Sequence, residues 1–154
     1  MKLRIDLDPS LAEDEIIIRA AKRDERIKQI EETLEKLISL DSEMILELGD
    51  TEYYISKSKI LFFETTGSKV AAHTTNAMYY TQYKLYELEN ILPSTFLRIS
   101  KSCIINTAQI NSIAKNLTGA SRITFANCDK AVYVSRSYYK LLKERIHNMR
   151  FSRE

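Results

Sequence analysis

Glycine is scarce in this chain: three residues in 154, with only two prolines. That leaves little room for a Gly-rich loop that cradles phosphates, or for flexible linkers between domains. The two cysteines, Cys103 and Cys128, form no C-x-x-C pair, and with only two histidines a zinc centre lacks ligands. Each cysteine lies in an apolar or strand-like setting and reads as a small buried hydrophobe. His73 and His147 stand apart from any carboxylate or nucleophile at a useful spacing, so no catalytic constellation emerges. An enzyme is therefore not expected, nor a cofactor, a metal or a small-molecule substrate. No run of 18 apolar residues occurs, which excludes a membrane-spanning helix. The opening MKLRIDLDPS lacks the apolar core of a signal peptide, and the expected location is cytoplasmic.

What is present is a hydrophobic fraction of 44%, enough for a packed core in one ordinary domain or a small domain with an appendage. The net charge of +2 hides a division. Residues 1–45 hold 8 Lys and Arg against 12 Asp and Glu, whereas residues 98–150 hold 10 basic residues against 2 acidic. A basic C-terminal half is the expected footprint of a polyanionic partner, with a solvated basic face as the plainer reading.

Lys2 to Asp8 alternates apolar and charged residues, as a half-buried strand does, and Glu15 to Ala20 is a second β-branched run. Asp24 is placed to cap a helix carrying Ile27, Ile30, Leu34, Leu37 and Ile38 at helical spacing. Residues 1–43 thus read as a β-β-α unit. It is too small to stand alone, so its helix covers a sheet of the same chain or meets a second copy. From Met44 the texture changes to short strands: 44–48, 52–55, 59–64, 70–74, 78–81, 96–99, 102–106, 109–114, 122–126 and 131–134. A helix over 84–92 is stopped by Pro93, and a final helix runs from Arg136 to about Met149. The fold class is mainly β (α+β), with residues 44–154 as one domain.

Two of the turns in this pattern place a cation between hydroxyls: Ser100-Lys101-Ser102 and Ser135-Arg136-Ser137. Cations and small hydroxyls on loops between buried strands are the residue types that grip a phosphate backbone and reach base edges. Arg136 opens a helix, where the dipole disfavours a structural cation, and its fork suits a phosphate or a guanine. Arg98 alternates with Phe96 and Ile99 and reads equally as a core-edge ion pair. Asn106 reads as closing a turn internally. Lys115, Arg122, Lys140 and Lys143 are candidates for outer phosphate contacts. Tyr79, Tyr80, Tyr83 and Tyr86 could stack on single-stranded bases, but packing between the internal helix and a sheet is the expected use.

The order KILFFETTGSK, YKLYELENILP, FLRISKSCIINTAQINSI and VYVSRSYYKLLKERI resembles the LytTR DNA-binding domain of LytR/AlgR-type bacterial regulators. The specific parts are F-x-R-x-x-(K/N)-S-x-I-(I/V)-N at Phe96–Asn106 and V-S-R-x-Y at Val134–Tyr138. The resemblance implies small antiparallel sheets with one internal helix and a C-terminal helix. It implies inter-strand loops that enter successive major grooves of double-stranded DNA. One small module buries too little surface for strong specificity, so a dimer on repeated half-sites is expected. Carried over by position, the DNA-binding residues are Ser68 and Lys69 after Gly67, Ser100 and Lys101, and Arg136. Many members have His or Asn at the positions of Ser100 and Lys101, so base preference belongs to this chain's own residues. Asp6, Asp8, Asp14 and Glu15 lie in a segment too short for the acidic cluster of a phosphoacceptor domain. A stand-alone transcription regulator without a receiver is expected, and the resemblance then implies a membrane-protein regulator encoded alongside. The alternative is a regulatory protein–protein interaction module that has lost DNA recognition, which the acidic N-terminal unit favours.

Overall fold

The computed structural model of the chain describes residues 1–12, 15–40 and 42–151. A helix, α1 (Glu25–Leu40), precedes five strands: β1 (Glu43–Leu48), β2 (Thr51–Ser56), β3 (Phe62–Thr66), β4 (Lys69–His73) and β5 (Met78–Thr81). A short helix α2 (Leu85–Ile91) leads to β6 (Phe96–Ser100), β7 (Cys103–Asn106), β8 (Ile110–Ala114), β9 (Ser121–Phe125) and β10 (Ala131–Val134), and α3 (Arg136–Phe151) closes the chain. The strands form a seven-stranded sheet in the order β2-β1-β5-β4-β3-β7-β6 and a three-stranded sheet in the order β10-β9-β8. Every pairing is antiparallel.

Alternation along the strands splits the core between the two faces of the large sheet. Phe63, Val70, Ala72, Phe96 and Ile104 join Met44 and Leu46 under Leu85 and Leu88 of α2. Their chain neighbours Phe62, Leu97, Cys103 and Ile105 face the other way, onto Ile123, Phe125, Val132 and Val134 of the small sheet and Leu142 of α3. The large sheet is thus the middle layer, covered by α2 on one side and by the small sheet with α3 on the other.

The N-terminal segment departs from expectation. Residues 2–8 and 15–20 form no strand among the described residues, and Leu3 and Leu7 are 90% and 91% exposed. A two-stranded ribbon is marginal in water without a third element over its apolar face. The register that joins Leu7 to Ile16 would also set Asp8 opposite Glu15 and Arg4 opposite Arg19, and facing like charges is destabilising. Asp14, counted among the acids of this segment, lies outside the described residues. The helical part of the expectation holds: Asp24 caps α1, its Oδ1 accepting from the Ile27 N–H at 3.1 Å. Ile27, Ile30 and Leu34 are half-buried on α1, which rests beside the 3-10 turn Lys57–Lys59.

Candidate nucleic-acid interface

The candidate residues come from three separate stretches, and backbone hydrogen bonds bring them to one end of the large sheet. β3 and β4 reverse at Gly67-Ser68, with Thr66 opposite Lys69. Gly67 has φ +62°, a conformation that side chains with a Cβ disfavour, and this permits the sharp reversal. β7 runs antiparallel to β3, so its turn with β6 emerges alongside. The Thr65 N–H donates to the Ser102 carbonyl at 2.9 Å, tying the two turns together. At β6 the ladder is irregular between Arg98 and Ser100. Ile99, the residue there, accepts the Ser135 N–H on its carbonyl at 3.0 Å and so docks the start of α3 against the second turn. The three turns therefore stand in a row: 67–69, 100–102, 135–137.

Within the second and third turns the serines pair and leave the cation between them outside. Ser135 Oγ and Ser137 Oγ are 3.1 Å apart, and Ser100 Oγ and Ser102 Oγ 3.5 Å, with the Ser102 N–H donating to Ser100 Oγ at 3.3 Å. Lys101 and Arg136 are exposed, and neither side chain makes a hydrogen bond or ion pair with another described residue. Arg136 stands in the first turn of α3, where free N–H groups and the helix dipole also favour an anion. Lys69 is exposed as well, its ammonium 5.2 Å from the centre of the Tyr80 ring.

Arg98 has a different use. Its Nε donates to the Ser100 carbonyl at 2.9 Å, its Nη2 to the Lys101 carbonyl and its Nη1 to Glu89. It is an ion pair that also holds the backbone of the second turn, at the Ser100 and Lys101 carbonyls. Asn106 closes a turn internally: Nδ2 donates to the Ile60 carbonyl at 3.0 Å and Oδ1 accepts from the Ala108 N–H at 3.2 Å. Of the tyrosines, Tyr79 packs on the core and against Tyr53, but Tyr83 and Tyr86 are exposed. α2 presents Leu85 and Leu88 to the sheet, which leaves Tyr86 outside.

Two further cations border the row. Lys84 Nζ donates to the Ser68 carbonyl at 3.4 Å, because β5 ends at Thr81 opposite Val70 and its continuation runs past the first turn. Sequence reasoning passed over Lys84, although its position three residues beyond a strand paired to β4 was the available signal. At the other end of the row, Lys115 lies 5.5 Å from the centre of the Tyr139 ring, and both line a hollow of about 140 Å³ with Arg136. The nearby acids Glu87 and Glu89 are engaged, the first by the Lys84 N–H at 3.0 Å and the second by Arg98. Immediately behind the second turn, burial pushes the Cys103 thiol up to about 12.

The LytTr DNA-binding domain family matches residues 50–147. Two proteins described as uncharacterized HTH-type transcriptional regulators, from Staphylococcus aureus strains NCTC 8325 / PS 47 and COL, are each 31% identical over 147 residues, covering 95% of this chain and 98% of theirs. In this chain the helices α1, α2 and α3 are separated by strands, so no helix-turn-helix occurs among the described residues. A solved LytTr DNA-binding domain from Bacillus cereus superposes with a TM-score of 0.63 at 24% identity, covering 68% of this chain and 96% of that one, and so shares its fold. The chain belongs to the LytTr DNA-binding domain family.

Proposed function

We propose that this protein is a transcription regulator that binds double-stranded DNA with the row of three turns, and that it reads base sequence there. The observation that carries the reading is the alignment of three cation-bearing turns on one end of one sheet, stitched by Thr65–Ser102 and Ser135–Ile99 hydrogen bonds. Lys69, Lys101 and Arg136 are the principal DNA contacts, with Ser68 and Ser100 as short donors and acceptors beside them. Lys84 and Lys115 extend the positive strip to either side, where the backbone of a duplex continues. One such module covers too little DNA for strong discrimination, so two copies act on repeated half-sites. Residues 1–43 bring the copies together, and the protein works in the cytoplasm.

Selection from a random pool of duplexes with the purified full chain tests this reading. A short motif, recovered twice at a fixed spacing near one helical turn or a multiple of it, is the expected result. Recovery of no enriched motif would defeat sequence-specific binding. Retention of duplex that stays constant as salt rises would defeat phosphate contact altogether.

A further inference from the structure

We infer that residues 2–8 pair with the same residues of a second copy of this chain, as an antiparallel ribbon with its two-fold axis at Ile5. The segment reads Lys2-Leu3-Arg4-Ile5-Asp6-Leu7-Asp8. Antiparallel pairing about Ile5 sets Lys2 opposite Asp8, Arg4 opposite Asp6, Leu3 opposite Leu7 and Ile5 opposite itself. Directly opposed residues share a face, so the charges complement one another on one side and the leucines and isoleucines meet on the other. Pairing within one chain in the register that joins Leu7 to Ile16 opposes like charges instead, Asp8 against Glu15 and Arg4 against Arg19. The same symmetry recurs in Glu15-Ile16-Ile17-Ile18-Arg19, where a centre at Ile17 puts Glu15 opposite Arg19 and Ile16 opposite Ile18. One two-fold axis serves both ribbons when Leu3, Ile5 and Leu7 stack on Ile16 and Ile18.

The single chain carries the marks of such an unfilled pairing. Ile5 is 75% exposed and Ile16 64%, in a segment with no strand of its own among the described residues. Arg4 and Asp6 already lie on one side of the chain at 3.0 Å, as alternate residues of an extended segment do. A second copy completes this pair into a cluster of four alternating charges. Charge complementarity selects a second copy over other partners, because the pattern matches its own reversal. The inference deepens the two-copy part of the proposed function, but its test needs no DNA, so either can fail without the other.

Sedimentation velocity of the full chain provides the test. The wild type should sediment at twice the chain mass of 17.9 kDa. Lys2→Asp/Arg4→Asp leaves only acids on the charged face, and Asp6→Lys/Asp8→Lys only bases. Each variant alone should associate roughly tenfold more weakly or worse, through facing like charges, and an equimolar mixture should recover the wild-type dimer. A monomeric wild type at micromolar concentration, variants that each dimerise as tightly as the wild type, or a mixture that remains monomeric would each overturn the inference.

Discussion

The two ends of the large sheet use the same residue types in opposite ways. At the end away from the three turns, Lys130 donates to the carbonyls of Thr74 at 2.7 Å and Ala77 at 2.6 Å, and burial holds its ammonium below the usual lysine range. Gln109 donates to the Ser58 carbonyl at 2.8 Å, and Asn106 is fully buried with both ends of its amide engaged. His73 stacks on Phe62 with ring centres 4.3 Å apart and meets Glu64 at 2.8 Å. At the turn end, Lys101 and Arg136 find no such partner among the described residues, while their serines and carbonyls are held in place. A cation that serves the fold is consumed by carbonyls and partly desolvated. One held out for a polyanion, as proposed for Lys101 and Arg136, stays in water on a turn fixed by hydrogen bonds, where the backbone loses little freedom on binding.

Substitutions can break this contrast. The largest effect on stability is expected from Asn106→Ala, which strands the buried Ile60 carbonyl and the Ala108 N–H. Denaturant unfolding should show a loss on the order of 3 kcal/mol, with DNA affinity of the folded fraction unchanged. Arg98→Ala crosses the divide, because it releases the Ser100 and Lys101 carbonyls. It should cost about 1–2 kcal/mol of stability and also weaken DNA binding, although Arg98 itself touches no DNA in this scheme. A stability loss with unaltered binding would remove its positioning role.

Gly67→Ala probes the first turn alone. No atom of the described residues lies within 4 Å of the added Cβ, so the penalty is conformational, from φ +62°, and should amount to about 1 kcal/mol in denaturant unfolding. A stabilised variant would show that the turn does not need its left-handed residue. The smallest effect is a pH dependence at the far end. Burial holds the His73 imidazole below the usual histidine value, against the opposing pull of Glu64. Its buried Nδ1 has no hydrogen-bond partner among the described residues, so a proton added there meets no acceptor among them. Below the ordinary histidine pKa of about 6.5 the unfolded chain therefore binds the extra proton first. Stability should fall as pH drops through that value, by a few degrees of melting temperature at most, and His73→Gln should flatten the profile. A wild-type melting temperature that rises on acidification over this interval would reverse the assignment.

Most of the elements were legible because their signals are local. Period-two alternation and turn residues marked the strands of 44–134, Asp24 and the Ile27–Ile30–Leu34 spacing marked α1, and Pro93 marked the end of α2. Asn106 also read correctly as an internal turn residue. The segment 2–8 misled for a physical reason: alternation states that a strand would bury one face, but not which chain supplies its partner. The row itself was only half legible. Nothing near Ser135 announces that its N–H will find Ile99, or that Lys84 will reach Ser68, since such contacts depend on how distant strands are ordered. Exposure of Tyr83 and Tyr86 was hidden likewise, because their spacing fits packing until α2 commits Leu85 and Leu88 to the sheet.

The contrast between the two ends stands or falls most directly on Arg136. Its affinity for the selected duplex should be measured across salt concentrations for the wild type and Arg136→Ala, with melting temperature recorded on the same samples. Removing the guanidinium should weaken binding by about 1–3 kcal/mol and relax base preference at one position, if it reads a base, while melting is unchanged. Wild-type affinity, base preference and salt dependence in Arg136→Ala, in a protein that melts normally, would contradict a DNA-facing role for this end of the sheet.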